Sequence, residues 1–184
     1  DTLRQMVEIM SRGGGVGINL GVLRPRGATV RGVAGRSSGA VSWGEIFSFA
    51  TGLISQGGSR RGALMLILPV WHPDIEEFIN AKRDMARLTN CNVSVGLTEE
   101  FERALAEDGE FQLVFPDYTR VEPEEYNKWW DGDIEKWRKY RPVKVYKTVK
   151  ARDLFRQIVE AAWASGEPGV VRLDYINRVS NSWY

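Results

Sequence analysis

Apolar residues recur at helical spacing over the opening positions, where Leu3, Met6, Val7 and Met10 follow Asp1 or Thr2 as an N-cap. A glycine run, GGGVGINLG at residues 13–21, leads into Ile18, Asn19 and Leu20. Trp43, Ile46, Phe47, Ala50, Leu53 and Ile54 predict the next helix. The run ALMLILPV, residues 63–70, is apolar on both faces of an extended chain, the pattern of a parallel strand covered on two sides. Pro73 falls in the first turn of a further helix, whose Ile75, Phe78 and Ile79 face inward. NVSVGL (92–97) reads as a second strand, Thr98 to about Ala106 as a helix, and FQLVF (111–115) as a third strand. Leu154, Phe155, Ile158, Val159 and Ala162 mark a long helix closed near Gly166, after which GVVRLDYIN returns as a strand. Strands and helices alternate without internal repeats, so the predicted class is α/β, in one domain over residues 1–184.

Two stretches break this pattern. Residues 24–39 (RPRGATVRGVAGRSSG) are rich in Gly, Arg and Ser and show little apolar periodicity, the mark of a long functional or disordered loop. Residues 116–147 combine many charges with Trp129, Trp130, Trp137, Tyr118, Tyr126 and Tyr140. They read as a surface insertion of short helices, with aromatics packed down and charges left in water.

Composition narrows the function. Over 184 residues, 25 Lys+Arg face 24 Asp+Glu, for a net charge of +1, which supplies no bulk field to hold a nucleic acid polymer. With Cys91 and His72 the single residues of their types, there is neither a disulfide framework nor a zinc ligand set. No segment reaches the roughly 18 apolar residues that span a bilayer, and no signal peptide opens the sequence, so the expectation is a cytoplasmic protein without membrane partners. The abrupt start at Asp1-Thr2 and the stop at NSWY read as cut ends.

Among the motifs, GGGVGINLG fails the dinucleotide fingerprint: the third glycine would fall at Leu20, a helical pattern precedes it, and no acidic residue stands about twenty positions on. No phosphate loop exists, because Gly-Lys-Ser/Thr is absent. What remains is either a tight helix-to-strand passage or a backbone that a ligand approaches closely. QGGSRRGA, residues 56–63, joins two glycines to Arg60 and Arg61 at the mouth of the apolar strand. Arginines that only balance a helix dipole need no flexible loop, whereas a loop that reshapes around a phosphate or a base does. Cys91, between Asn90 and Asn92, reads as a buried structural thiol, and His72 as a helix-start residue. The Trp-rich stretch reads as packing, and no pair of carboxylates forms an acid/base arrangement.

Taken in order and spacing, GGGVGIN, Arg24 and Arg31, QGGSRRGA, HPDIEEFI and NVSV resemble the catalytic chain of ribonucleotide reductases. HPDIEEFINAK with QGGSRRGA looks most like the adenosylcobalamin-dependent class. The resemblance spans nearly the whole chain and is weakest over 116–147. It implies a ten-stranded α/β barrel, of which this chain forms roughly the first half, the remainder of the barrel being its partner. It also implies reduction of ribonucleotides to deoxyribonucleotides by a thiyl radical, in the supply of DNA precursors, with adenosylcobalamin as cofactor. ATP and dNTP effectors would select the base, and the parent would be a homodimer. QGGSRRGA matches the specificity loop, so Gln56, Gly57, Gly58, Ser59, Arg60 and Arg61 are expected at the effector, with Arg24 and Arg31 at its phosphates. Gly15, Arg60 and Ala63 are expected at the substrate. The radical cysteine is expected beyond Tyr184 and the first redox cysteine before Asp1; Cys91 matches neither, so the isolated chain is expected to be inactive. The alternative is a non-catalytic nucleotide-binding regulatory module.

Overall fold

The computed structural model describes residues 1–32, 34–56, 60–83 and 87–181. Helix α1 (Thr2–Ser11) buries Met6 and Met10, while Leu3 and Val7 stay partly exposed. Strand β1 (Gly15–Asn19) follows and ends in a short 3-10 turn, Leu20–Val22. Residues 24–39, read as a loop, carry a two-pair antiparallel ladder of β2 (Thr29–Val30) and β3 (Gly35–Arg36).

Helix α2 (Ala40–Leu53) buries its small face, including Ala40, Gly44, Ser48 and Thr51, and turns Trp43, Ile46, Phe49 and Leu53 outward. Gly44 permits this: a Cβ there would lie 3.2 Å from Leu66 and 3.3 Å from both Leu20 and Leu88. Glycine lets the helix seat closely on the strand beneath it. A short hairpin of β4 (Ser55–Gln56) and β5 (Arg60–Arg61) leads through Gly62 into β6 (Ala63–Pro69). Helix α3 (Ile75–Asn80) comes next, with Pro73 just before its N-cap Asp74. Strand β7 (Asn92–Leu97) and α4 (Glu99–Ala106), capped by the Thr98 hydroxyl, follow as expected.

Strands β1, β6 and β7 run parallel with a further strand, β10, in the order β1-β6-β7-β10. Parallel neighbours need crossovers, and α2 and α3 provide the first ones. Leu64, Leu66 and Leu68 of β6 point into the core, whereas Ala63 and Met65 are exposed, so the strand predicted to be covered on both faces has one open face at its start.

Strand β8 (Glu110–Pro116) stands outside this sheet. It pairs antiparallel with β9 (Val143–Lys150), and between them lie α5 (Pro123–Trp129) and α6 (Ile134–Arg138). The two helices meet expectation; the strand does not, because Lys144, Lys147 and Lys150, at every third position, break the two-residue alternation that would have marked it. Trp137 and Tyr118 are buried, whereas Trp129 and Tyr140 face solvent. Helix α7 (Ala151–Ser165) closes on Gly166 in the left-handed conformation, φ 78°. Strand β10 (Gly169–Arg172) is shorter than GVVRLDYIN suggested, for Leu173–Val179 form helix α8. Leu173, Ile176 and Val179 are helically spaced, and Asp174 accepts the Glu99 N–H at 2.8 Å, which turns the chain out of the sheet. Among the described residues, no helix is long and apolar enough to cross a membrane.

Candidate functional site

The open face at the strand starts forms a cleft of about 750 Å³. Gly15 and Gly17 of β1, Arg61 of the hairpin, and Ala63 and Met65 of β6 line it. Gly15 pairs in register with Ala63, and a Cβ on Gly15 would come 3.6 Å from that of Ala63, while a Cβ on Gly17 would meet nothing within 4 Å. The glycines therefore leave room and expose backbone rather than relieve crowding. Two of the three expected substrate residues, Gly15 and Ala63, come together here. The third, Arg60, pairs its backbone with Gln56 across the hairpin, but its side chain and that of Gln56 lie outside the described part of the chain, as do Gly57, Gly58 and Ser59 altogether.

Lys82, Asn90, Cys91 and Asn92 share the cleft and were not singled out from sequence as lining it. Lys82 pairs with Glu167 at 2.7 Å and also donates to the Cys91 carbonyl. Cys91 is buried at 6% exposure, with its thiol 3.5 Å from the Leu88 carbonyl oxygen. Burial pushes its pKa up, a Ser48 hydrogen bond only partly opposing this, so the thiol is kept protonated and suits a structural role.

Beyond the end of β1 lies a second cleft, of about 360 Å³, lined by Arg24, Arg31, Tyr118, Tyr126 and Trp130 among others. The first cleft takes in the start of β1, and the second begins at Val22, past its end. The expected phosphate arginines thus meet in one place. Arg24 stacks over the Tyr118 ring, 5.7 Å from its centroid, and Arg31 donates to the Tyr118 and Val121 carbonyls. Burial pushes the Tyr126 hydroxyl up to about 12 and also raises Tyr118, so both phenols are neutral beside the cations. A pair of guanidinium groups walled by neutral rings is a surface for an anionic ligand with an apolar or aromatic part.

His72, read as a helix-start residue, is fully buried and set edge-on to Phe115 at 5.6 Å. Burial lowers its pKa below 6.5, although Asp74 and the bond to Leu23 pull the other way. Beside it, burial alone would raise the Glu77 carboxyl, but hydrogen bonds from Arg87 and Arg26 hold it below the usual range.

A family model described as "Ribonucleotide reductase, barrel domain" matches residues 1–184. The chain belongs to this family. The parallel sheet with its covering helices is accordingly part of an α/β barrel of the ribonucleotide reductase type. Similar proteins include the vitamin B12-dependent ribonucleoside-diphosphate reductases of Mycobacterium tuberculosis, 38% identical over 97% of this chain, and Thermoplasma acidophilum, 37% identical over 97%. The ribonucleoside-diphosphate reductase large subunit of Variola virus is 28% identical over 98% of the chain. The barrel segment spans 22%, 20% and 24% of those three proteins, about a fifth to a quarter of their length.

Proposed function

We propose that this barrel segment belongs to an enzyme that reduces ribonucleotides to deoxyribonucleotides by thiyl-radical chemistry, and that it carries the effector-reading loops and part of the substrate site. One observation carries the reading: the hairpin that bears the QGGSRRGA motif runs straight into β6, so Arg61, Ala63 and Gly15 share one cleft. A loop so placed can pass a change of shape to whatever occupies that cleft. Arg24 and Arg31, together in the second cleft, supply the charge for an effector triphosphate. The names of the relatives favour a ribonucleoside diphosphate as substrate.

The vitamin B12-dependent relatives favour adenosylcobalamin, which supplies the radical when bound. The described residues do not fit as its cobalt ligand: the single imidazole, His72, is buried with both ring nitrogens engaged. No step of the cofactor chemistry is assigned to this segment, and the chain by itself is expected to be inactive. Cytoplasmic location and a homodimeric parent complete the proposal; the exposed apolar stripe of α2 (Trp43, Ile46, Phe49, Leu53) is a surface such a dimer could cover.

The test is made on the full-length reductase containing this chain. Product ratios from mixed ribonucleotides are measured with ATP and each dNTP in turn, for the native enzyme and for Arg60→Ala. Coupling between sites is typically worth about 1–3 kcal/mol, so its loss should flatten a roughly 5- to 150-fold effector preference. A sharply lowered melting temperature with unchanged ratios would make the arginine structural and sink the reading.

A further inference from the structure

Among the described residues of 24–39, the two-pair β2–β3 ladder is the only regular structure, yet the segment presents Arg24 and Arg31 to one cleft. The junction between β6 and α3 holds them there. The Asp74 carboxylate, 7% exposed, accepts the Arg26 backbone N–H at 2.9 Å on Oδ1 and 3.2 Å on Oδ2. Its Oδ2 also accepts the Ala40 backbone N–H at 2.8 Å. One side chain thus ties the entry and the exit of the segment to the same point.

His72 secures the chain just before that entry. Its Nδ1 accepts the Asp74 N–H at 3.1 Å, which leaves Nε2 as the protonated nitrogen, donating to the Leu23 carbonyl at 2.9 Å. Arg26 then reaches across to Glu77 of α3 through Nε at 3.0 Å and Nη2 at 2.8 Å. The closure is tight. At Gly39, where φ is +93°, a Cβ would lie 2.8 Å from Asp74 Oδ2 and 2.9 Å from the Arg26 Cβ.

We propose that His72 and Asp74 form the positioning clamp of the nucleotide-binding segment, fixing its two ends so that Arg24 and Arg31 stand ready for a nucleotide polyphosphate. Neither residue lines the arginine cleft; both act through the backbone they hold. A segment whose ends are already brought together loses less freedom when a ligand orders it, and this difference appears as affinity. Within the HPD sequence, the imidazole of His72 supplies one acceptor and one donor, and the carboxylate of Asp74 two accepting oxygens, all at a single corner.

Because the clamp rests on the effector reading, the experiment separates the two. In the full-length reductase, equilibrium binding of dATP, dGTP and dTTP is measured for Asp74→Ala, Asp74→Asn and Glu77→Gln, with Arg24→Ala and Arg31→Ala beside them. Hydrogen exchange at the Arg26 and Ala40 amides is followed in parallel. Losing the acceptor for two backbone amides should weaken nucleotide binding about tenfold in Asp74→Ala and by less in Asp74→Asn, with protection lost at both amides. Glu77→Gln keeps the backbone ties and should stay within about twofold.

If Asp74→Ala lowers only the melting temperature, and the folded protein binds all three nucleotides within twofold of native, Asp74 is structural and the clamp is overturned. The clamp is equally overturned if the amides lose protection without loss of affinity. If Arg24→Ala and Arg31→Ala also bind normally, it is the effector reading that has failed, and the clamp falls with it. Should Asp74→Ala fail to fold, Asp74→Asn carries the comparison by the same criteria.

Discussion

The two ends of the parallel sheet are built from different materials. At the strand starts the cleft is walled by backbone and small side chains, Gly15, Gly17 and Ala63, with space left where side chains could stand. At the strand ends the arginine cleft rests on a chain of edge-to-face rings: Phe115 on Trp130 at 5.4 Å, Trp130 on Trp137 at 5.7 Å, Tyr126 on Trp137 at 5.7 Å and Tyr118 on Tyr126 at 5.8 Å. A glycine wall lets a ligand approach the main chain closely but imposes little shape. An aromatic wall imposes shape, and its rings depend on one another for their positions. The first end should tolerate added atoms and show the consequence only in binding; the second should lose stability when atoms are removed or forced in.

The largest effect is expected at Phe115, fully buried between His72 and Trp130. Phe115→Ala should cost about 3–5 kcal/mol in urea denaturation, since the rings around it cannot all collapse inward. A cost below about 1 kcal/mol would mean the aromatic chain is not a mutual support and would break the contrast.

Next comes Gly39→Ala, which adds a Cβ at φ +93° against Asp74 and Arg26. Strain of this kind should cost about 1–3 kcal/mol, read in the same denaturation experiment. Gly17→Ala, at an open position, serves as its control.

A smaller, pH-dependent effect belongs to His72. Its folded pKa lies below 6.5 because it is buried, so as pH falls past 6.5 the unfolded chain takes up a proton that the folded chain refuses. Stability from this group is complete above 6.5 and is lost as pH falls toward the folded pKa. Thermal melts from pH 7.5 to 5 should therefore drop more steeply for the native chain than for His72→Gln. Parallel curves would show that the imidazole titrates freely.

The smallest effect on stability is expected from Gly17→Ala, where the new methyl meets nothing within 4 Å. The melt should move by no more than about 0.5 kcal/mol. The methyl nevertheless enters the strand-start cleft, so, if the proposed function holds, the KM of the full-length protein for ribonucleotide should rise. Unchanged KM would sharpen the picture by placing the substrate away from β1.

Much of the fold was legible in the chain itself. The alternation of α and β, the parallel strands ALMLILPV and NVSVGL, the α7 stop at Gly166 and the family resemblance of QGGSRRGA and HPDIEEFI all reside in short stretches, because spacing and capping are local properties. Strand β9 escaped notice because its lysines hide the alternation, and α8 because Leu173, Ile176 and Val179 follow directly on a true strand. The outward face of α2 could not be read from composition, since Gly44 decides which side approaches the sheet.

The site divides the same way. Residue types and their order singled out Arg24, Arg31, Gly15 and Ala63 as candidates; only the fold shows that the two arginines share one cleft and the other two residues another. Asp74 lies 48 positions from Arg26 and 34 from Ala40 along the chain, separations at which no periodicity survives. A carboxylate that binds backbone leaves no trace in the side chains of its partners. Its contacts with Arg26 and Ala40 form where the N-cap of α3 meets the two ends of the loop, which happens only once the sheet has brought β1 and β6 together.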